Sequence, residues 1–151
     1  MSSIPTYVIS MQKQGILLPQ AAVAEIIPYE PLQRVEGTPD WFLGLLGWRG
    51  VQVPVASFEM LTVERASFSL VSVSSACLVI IKALGDQAEL SYFATVAQTQ
   101  PRLVELSEEM LIVTGETPAR TETDRVRFED AVISIPDLDY VEASILEFMD
   151  S

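Results

Sequence analysis

The sequence contains no histidine and only one cysteine, Cys77. Without histidine there is no Ser–His or Cys–His nucleophile pair and no imidazole metal ligand. A lone cysteine closes no internal disulfide and builds no thiolate cluster. Basic residues are also scarce, 9 Lys plus Arg against 21 Asp plus Glu, for a net charge of −12. A face able to displace counterions from nucleic acid or an anionic bilayer is therefore not expected. The longest apolar run, Ala76 to Ile81, stops at Lys82, far short of the roughly 20 residues that span a membrane. The opening MSSIPTYVISMQKQG lacks the basic and apolar regions of a secretory signal. Cys77, inside the apolar run, reads as a small buried hydrophobe suited to a reducing cytoplasm. No catalytic residue, metal, cofactor or membrane insertion is predicted.

What remains is a chain of 151 residues, 49% apolar and 20% charged, enough for one domain over 1–151 with a real core. The charge is uneven: residues 1–100 carry 5 basic and 8 acidic groups, and residues 101–151 carry 4 and 13. An acidic final third is first of all a solvated surface.

Short β-rich segments dominate. Tyr7 to Met11, a turn to Gly15, and Ile16 to Leu18 form an N-terminal hairpin closed by Pro19. Ala21 to Ile27 fits a helix or a strand equally. Pro39 to Leu43 reads as a helical turn capped by Thr38, with Gly44, Gly47 and Gly50 as punctuation. Val51 to Val55 alternates as a strand whose Pro54 belongs at an edge, followed by a helical turn from Phe58 to Leu61. Residues 62–75 read as a Ser-rich loop, with or without a weak strand. Ala76 to Ala83 and Glu89 to Val96 form a hairpin across Gly85-Asp86-Gln87. Arg102 to Leu106 is a strand, Ser107 to Met110 a turn, and 115–125 a polar loop. Val126 to Ile135 holds one bent strand or two. Asp137 caps a helix through Met149 whose apolar face carries Leu138, Val141, Ile145, Phe148 and Met149.

The chain repeats itself once. Val51, Val53, Val55, Phe58 and Leu61 have the same apolar spacing as Ala131, Ile133, Ile135, Leu138 and Val141, 80 residues later. Each set is a strand running into a helical turn, and two such corners suggest two small barrels.

The most specific stretch is 23–58. It holds Val23-Ala24-Glu25-Ile26, then Pro39 and Gly44-Leu45-Leu46-Gly47-Trp48-Arg49-Gly50, then Val53-Pro54-Val55 and Phe58. This resembles, without a gap, the pattern of the CheW family of chemotaxis coupling proteins. Tyr7 to Leu18 is similar to the family's opening hairpin, and 126–149 to its closing strand and helix. One departure is Phe93-Ala94-Thr95-Val96, where a Val-Asp-x-Val signature usually stands. Trp48 and Pro39-Asp40-Trp41 look like the branch of pilus-linked, twitching-motility systems.

The resemblance implies a mainly β fold of two intertwined five-stranded SH3-like barrels with short helices and a C-terminal helix. It implies a non-enzymatic adaptor that joins a chemoreceptor signalling tip, a helix hairpin received between the barrels, to the regulatory domain of a CheA-type histidine kinase at the barrel ends. A ring component or competitor without receptor coupling is the nearest alternative, and a small carboxylate-based hydrolase a remote one.

The partner-binding residues carried over are Val23, Glu25, Gly44, Trp48, Arg49 and Gly50. Two readings stay open for Arg49: a guanidinium offered to a partner carboxylate, or a clamp on Glu25 or Glu36. Trp41, Phe42 and Trp48 are interface anchors or core, with Phe42 expected inside and one tryptophan partly outside. Val23 and Ile27 line a groove for a helix or belong to the core. Glu108-Glu109 and the acids at 122, 124, 129 and 130 lack calcium-loop spacing and read as a solvated face.

Overall fold

A computed structural model of the chain describes residues 3–11, 15–58, 60, 75–83, 91–114, 121–128 and 131–147. Its strands are β1 (Ile4–Ser10), β2 (Gly15–Pro19), β3 (Val23–Pro28), β4 (Phe42–Trp48), β5 (Val51–Ala56), β6 (Cys77–Lys82), β7 (Tyr92–Ala97), β8 (Arg102–Leu106), β9 (Ile112–Val113), β10 (Glu122–Phe128) and β11 (Ala131–Pro136). Helix α1 (Leu138–Leu146) closes the described chain, its first turn capped by the Asp137 carboxylate, which accepts from the Tyr140 amide at 3.2 Å.

The strands form two sheets of order β8-β1-β2-β11-β10-β9 and β3-β6-β7-β5-β4. The second uses an unbroken run of chain, residues 23–97, while the first gathers both ends of the chain around it. We call them the central and the terminal barrel. Apart from β9, of only two residues, they match strand for strand. In each, three antiparallel pairs surround one parallel pair, β2 beside β11 in one and β7 beside β5 in the other. The terminal barrel is thus a circular permutation of the central one. The two copies of the repeated spacing fall on the equivalent strands β5 and β11.

Three apolar clusters hold this arrangement. Leu46, Val53, Val55, Leu78, Ile80 and Val96 fill the central barrel. Leu17, Val126, Phe128 and Ile133 fill the terminal one. The largest cluster lies between them: Ile9, Ile16 and Leu18 from one sheet, Phe42, Val79, Ile81 and Phe93 from the other, and Val141 and Ile145 from α1. Strand β6 therefore feeds two cores, Leu78 and Ile80 facing one way and Cys77, Val79 and Ile81 the other. A strand covered on both faces reads as a continuous apolar run rather than an alternation, which is why Ala76 to Ile81 is unbroken.

Several expectations need correction. Pro39 to Leu43 is no helical turn: the Phe42 amide donates to the Pro39 carbonyl at 3.0 Å, closing a tight turn that leads straight into β4. Thr38 does not cap it but donates to the Val35 carbonyl at 2.6 Å, while the Arg34 guanidinium donates to the Thr38 and Phe42 carbonyls. Gly44 and Gly47 lie inside β4. Pro54 is buried in a strand flanked on both sides, tolerated because pairing with β7 begins only at Val55. Residues 122–125 belong to β10 instead of a loop. The ambiguous stretch after Pro19 is a short 3-10 turn followed by β3. The expectations for 12–14, 59, 61–74, 84–90, 115–120, 129–130 and 148–149 lie outside the described residues.

Cys77 is buried, with its thiol 3.4 Å from the Gln100 side-chain oxygen. Burial disfavours the thiolate and pushes the thiol's pKa up. The folded protein should therefore react with a disulfide reagent at pH 8 far more slowly than the urea-unfolded chain. Its rate should go on rising with pH after the unfolded thiol has levelled off. Equal rates in the two states would contradict the burial.

Candidate functional site

The candidate site is built on the hairpin joining β4 to β5. Trp48 and Val51 are paired across the strands, leaving Arg49 and Gly50 as a two-residue turn. Both have positive φ, 48° and 81°, as a primed hairpin turn demands. Gly50 meets that demand freely, but a left-handed conformation costs a non-glycine residue about 1–2 kcal/mol. The turn thus holds a strained arginine at its tip, with its side chain 70% exposed.

Glu25 reaches this tip from β3 because of a bulge. The register slips between Val23 and Glu25, so that Val23 lies opposite Ile81 and Glu25 opposite Ile80. Ile81 belongs to the core between the barrels and Ile80 to the core of the central barrel. In a regular strand residues two apart share a face, and the bulge breaks that rule, re-aiming one side chain as bulges do. Val23 packs into the shared core, while Glu25 turns toward Trp48.

There Glu25 Oε1 accepts two hydrogen bonds, from Trp48 Nε1 at 2.8 Å and from Arg49 Nη2 at 3.1 Å. The guanidinium lies 4.8 Å from the centre of the indole ring. Tyr92 meets the same indole edge-on, with centroids 4.9 Å apart. Trp48 is almost fully buried in the central core, and Val51, next along the chain from Gly50, is half exposed. The corner therefore presents a cation and an apolar side chain side by side.

Glu25, Trp48, Arg49 and Gly50 thus come together, and the Arg49 clamp closes on Glu25 and not on Glu36. Val23 faces the other core. Gly44 lies four positions back along β4, roughly 13 Å away at strand rise. Its role is local: φ is +150°, and a Cβ there would stand 2.7 Å from the Gln33 carbonyl oxygen, because residue 33 bridges to Leu45 across the strand. Phe42 is fully buried and Trp41 partly exposed. Tyr92 and Arg34 were not singled out by sequence. Their partners lie far along the chain or are backbone carbonyls, which leave no spacing signal.

The acid expected in a solvated face at 122 is instead buried, its carboxylate accepting from Arg125 Nε at 2.8 Å and from the Ser134 hydroxyl. It pins the start of β10. Glu109 is exposed on a 3-10 turn. Among the described residues no three His, Cys, Asp or Glu side chains are grouped to hold a metal ion, and no helix is long and apolar enough to cross a membrane.

Exposed apolar side chains also stand on the terminal barrel. Ile4 and Ile112 are about 60% exposed, and Leu103 and Met110 about half exposed. A cavity of about 220 Å³ opens beside Ile4, lined also by Leu17, Leu106, Leu111 and Ile135.

The family model for the CheW-like domain matches residues 6–140. The chain belongs to the CheW-like domain family. No curated protein matches it by sequence. Among solved structures it is similar to the scaffolding protein TtCheW from Thermoanaerobacter tengcongensis. The TM-score is 0.73 at 15% identity, covering 91% of this chain and 86% of that one. The similarity establishes for this CheW-like chain the fold of two SH3-like barrels, and its family makes it a chemotaxis scaffold of the adaptor kind.

The two glycines of β4 separate cleanly. Gly44→Ala should destabilise the protein by about 1–3 kcal/mol, the cost of a backbone conformation reserved for glycine, with the Gln33 clash added. Gly47→Ala meets no atom within 4 Å and should be neutral or slightly stabilising. Urea midpoints of the two variants check this, and equal midpoints would contradict it.

Proposed function

We propose that the protein is a non-enzymatic, cytoplasmic chemosensory adaptor. Acting as one unit over residues 1–151, it joins a chemoreceptor signalling tip to the regulatory domain of a CheA-type histidine kinase. The observation that carries this reading is the strained, exposed Arg49. An ion pair so exposed adds about 0–1 kcal/mol to stability, no more than the left-handed backbone costs. Arg49 is therefore a poor device for holding the fold and a good one for meeting a partner. Its guanidinium suits a carboxylate on a receptor helix, with Val51 beside it for an apolar neighbour.

The kinase domain would meet exposed apolar side chains of the terminal barrel, Ile4, Met110 and Ile112. With both surfaces engaged in one array, modest affinities suffice, because each contact raises the effective concentration for the other. A second reading is a ring component without receptor coupling. It is favoured by one fact, that Arg49 already has an internal acceptor in Glu25.

Binding to a receptor-tip hairpin and to a kinase regulatory domain tests both. Arg49→Asn suits the left-handed turn better, so it should hold or raise the thermal midpoint while weakening the tip by about tenfold or more. It should leave the kinase domain alone. Ile112→Asp should do the reverse. Kinase binding without tip binding would select the ring component, and binding to neither partner would refute the adaptor.

A further inference from the structure

The two donors on Glu25 Oε1 are not equivalent. Trp48 is 9% exposed, its ring fixed by Tyr92 and by the central core. Its single N–H points at Glu25, and a buried indole N–H deprived of its acceptor is costly. Arg49 differs in every respect. Its side chain is 70% exposed, its guanidinium has five N–H donors, and one nitrogen makes the contact with Glu25.

We propose that Trp48 is the positioning residue of the docking corner: the indole anchors Glu25, so that Arg49 can exchange Glu25 for a partner carboxylate without setting Glu25 adrift. In the free protein Glu25 and the indole face hold the guanidinium ready over the corner. When an acidic side chain of a helical partner arrives, the guanidinium turns to it and Glu25 stays on the indole N–H. The indole face remains a platform for the cation in both states. This inference rests on the adaptor reading for its partner, a helix carrying Asp or Glu. It adds that a side chain without an indole N–H at 48 would leave Glu25 dependent on Arg49, committing the arginine to an internal role.

The experiment has two arms. In the first, binding of the receptor-tip hairpin is measured for the wild type, Trp48→Phe, Glu25→Gln and the double variant. Phenylalanine keeps a ring against Tyr92 and removes the donor; the ring bulk it also loses is common to both backgrounds. Trp48→Phe should weaken binding about tenfold, the worth of one charge-assisted hydrogen bond. In the Glu25→Gln background, where no internal carboxylate competes for Arg49, the same change should cost less than about twofold, within the additivity of independent sites. An equal loss in both backgrounds, or no loss in either, overturns the proposal.

The second arm needs no partner and so separates failure of this inference from failure of the adaptor reading. The chain has two tryptophans, and Trp41→Phe assigns their indole N–H resonances. In Arg49→Ala the Trp48 signal should keep its wild-type position, because its acceptor is still in place, while in Glu25→Ala it should move. If Arg49→Ala shifts it as far as Glu25→Ala does, the arginine holds Glu25 and the proposal fails, whatever the wild type binds.

Discussion

The fold depends on a core that belongs to neither barrel alone. Strands β2 and β6 are each covered on both faces, one side turned into their own barrel and the other into the cluster between the barrels. That cluster includes Ile9, Ile16, Phe42, Val79, Phe93 and Ile145, all within 2% of full burial. Burying one such side chain is worth about 1.5–3 kcal/mol, so the seam is a large share of the stability of a chain this size. Helix α1 seals it with Val141 and Ile145. Because the central barrel is inserted between the two halves of the terminal one, neither closes without fixing the other.

The candidate site is a consequence of that fixed frame. β6 sets the register of β3, the bulge in β3 sets the face of Glu25, and the β4–β5 hairpin delivers Trp48 and Arg49 to it. Tyr92 reaches the indole from β7, which pairs with β6 and β5 at once. A carboxylate and an indole from the sheet and a guanidinium from a two-residue turn therefore meet without any long loop having to order itself. The cost is a non-glycine residue at positive φ, the kind of local strain that persists where the surroundings over-determine it.

Sequence revealed the strands whose chemistry is local. The N-terminal hairpin, the alternating strand β5, the apolar run of β6 and the Asp137 cap all carry their signal in adjacent residues. The repeated spacing, strand then helical turn, marked two strands that prove equivalent in the two barrels. What sequence did not show depends on distant partners. The bulge that parts Val23 from Glu25 is set by pairing with β6, more than fifty residues away. The turn before β4 looked helical from Thr38 and Pro39, yet Arg34 holds it as a tight turn. Gly44 and Gly47 look alike in the chain, but only one has a carbonyl where a Cβ would stand. Glu122 looked solvated until Ser134 and Arg125 closed over it.

The central claim, that one shared seam makes the two barrels a single cooperative structure and so holds the corner rigid, is tested most directly by native-state hydrogen exchange under mild denaturant. The slowest amides of β2, in the terminal barrel, and of β6, in the central one, should converge on the same opening free energy and the same denaturant dependence, those of global unfolding. If β2 and its neighbours open well below the global value while β6 stays protected, the barrels are separable units and the claim is wrong.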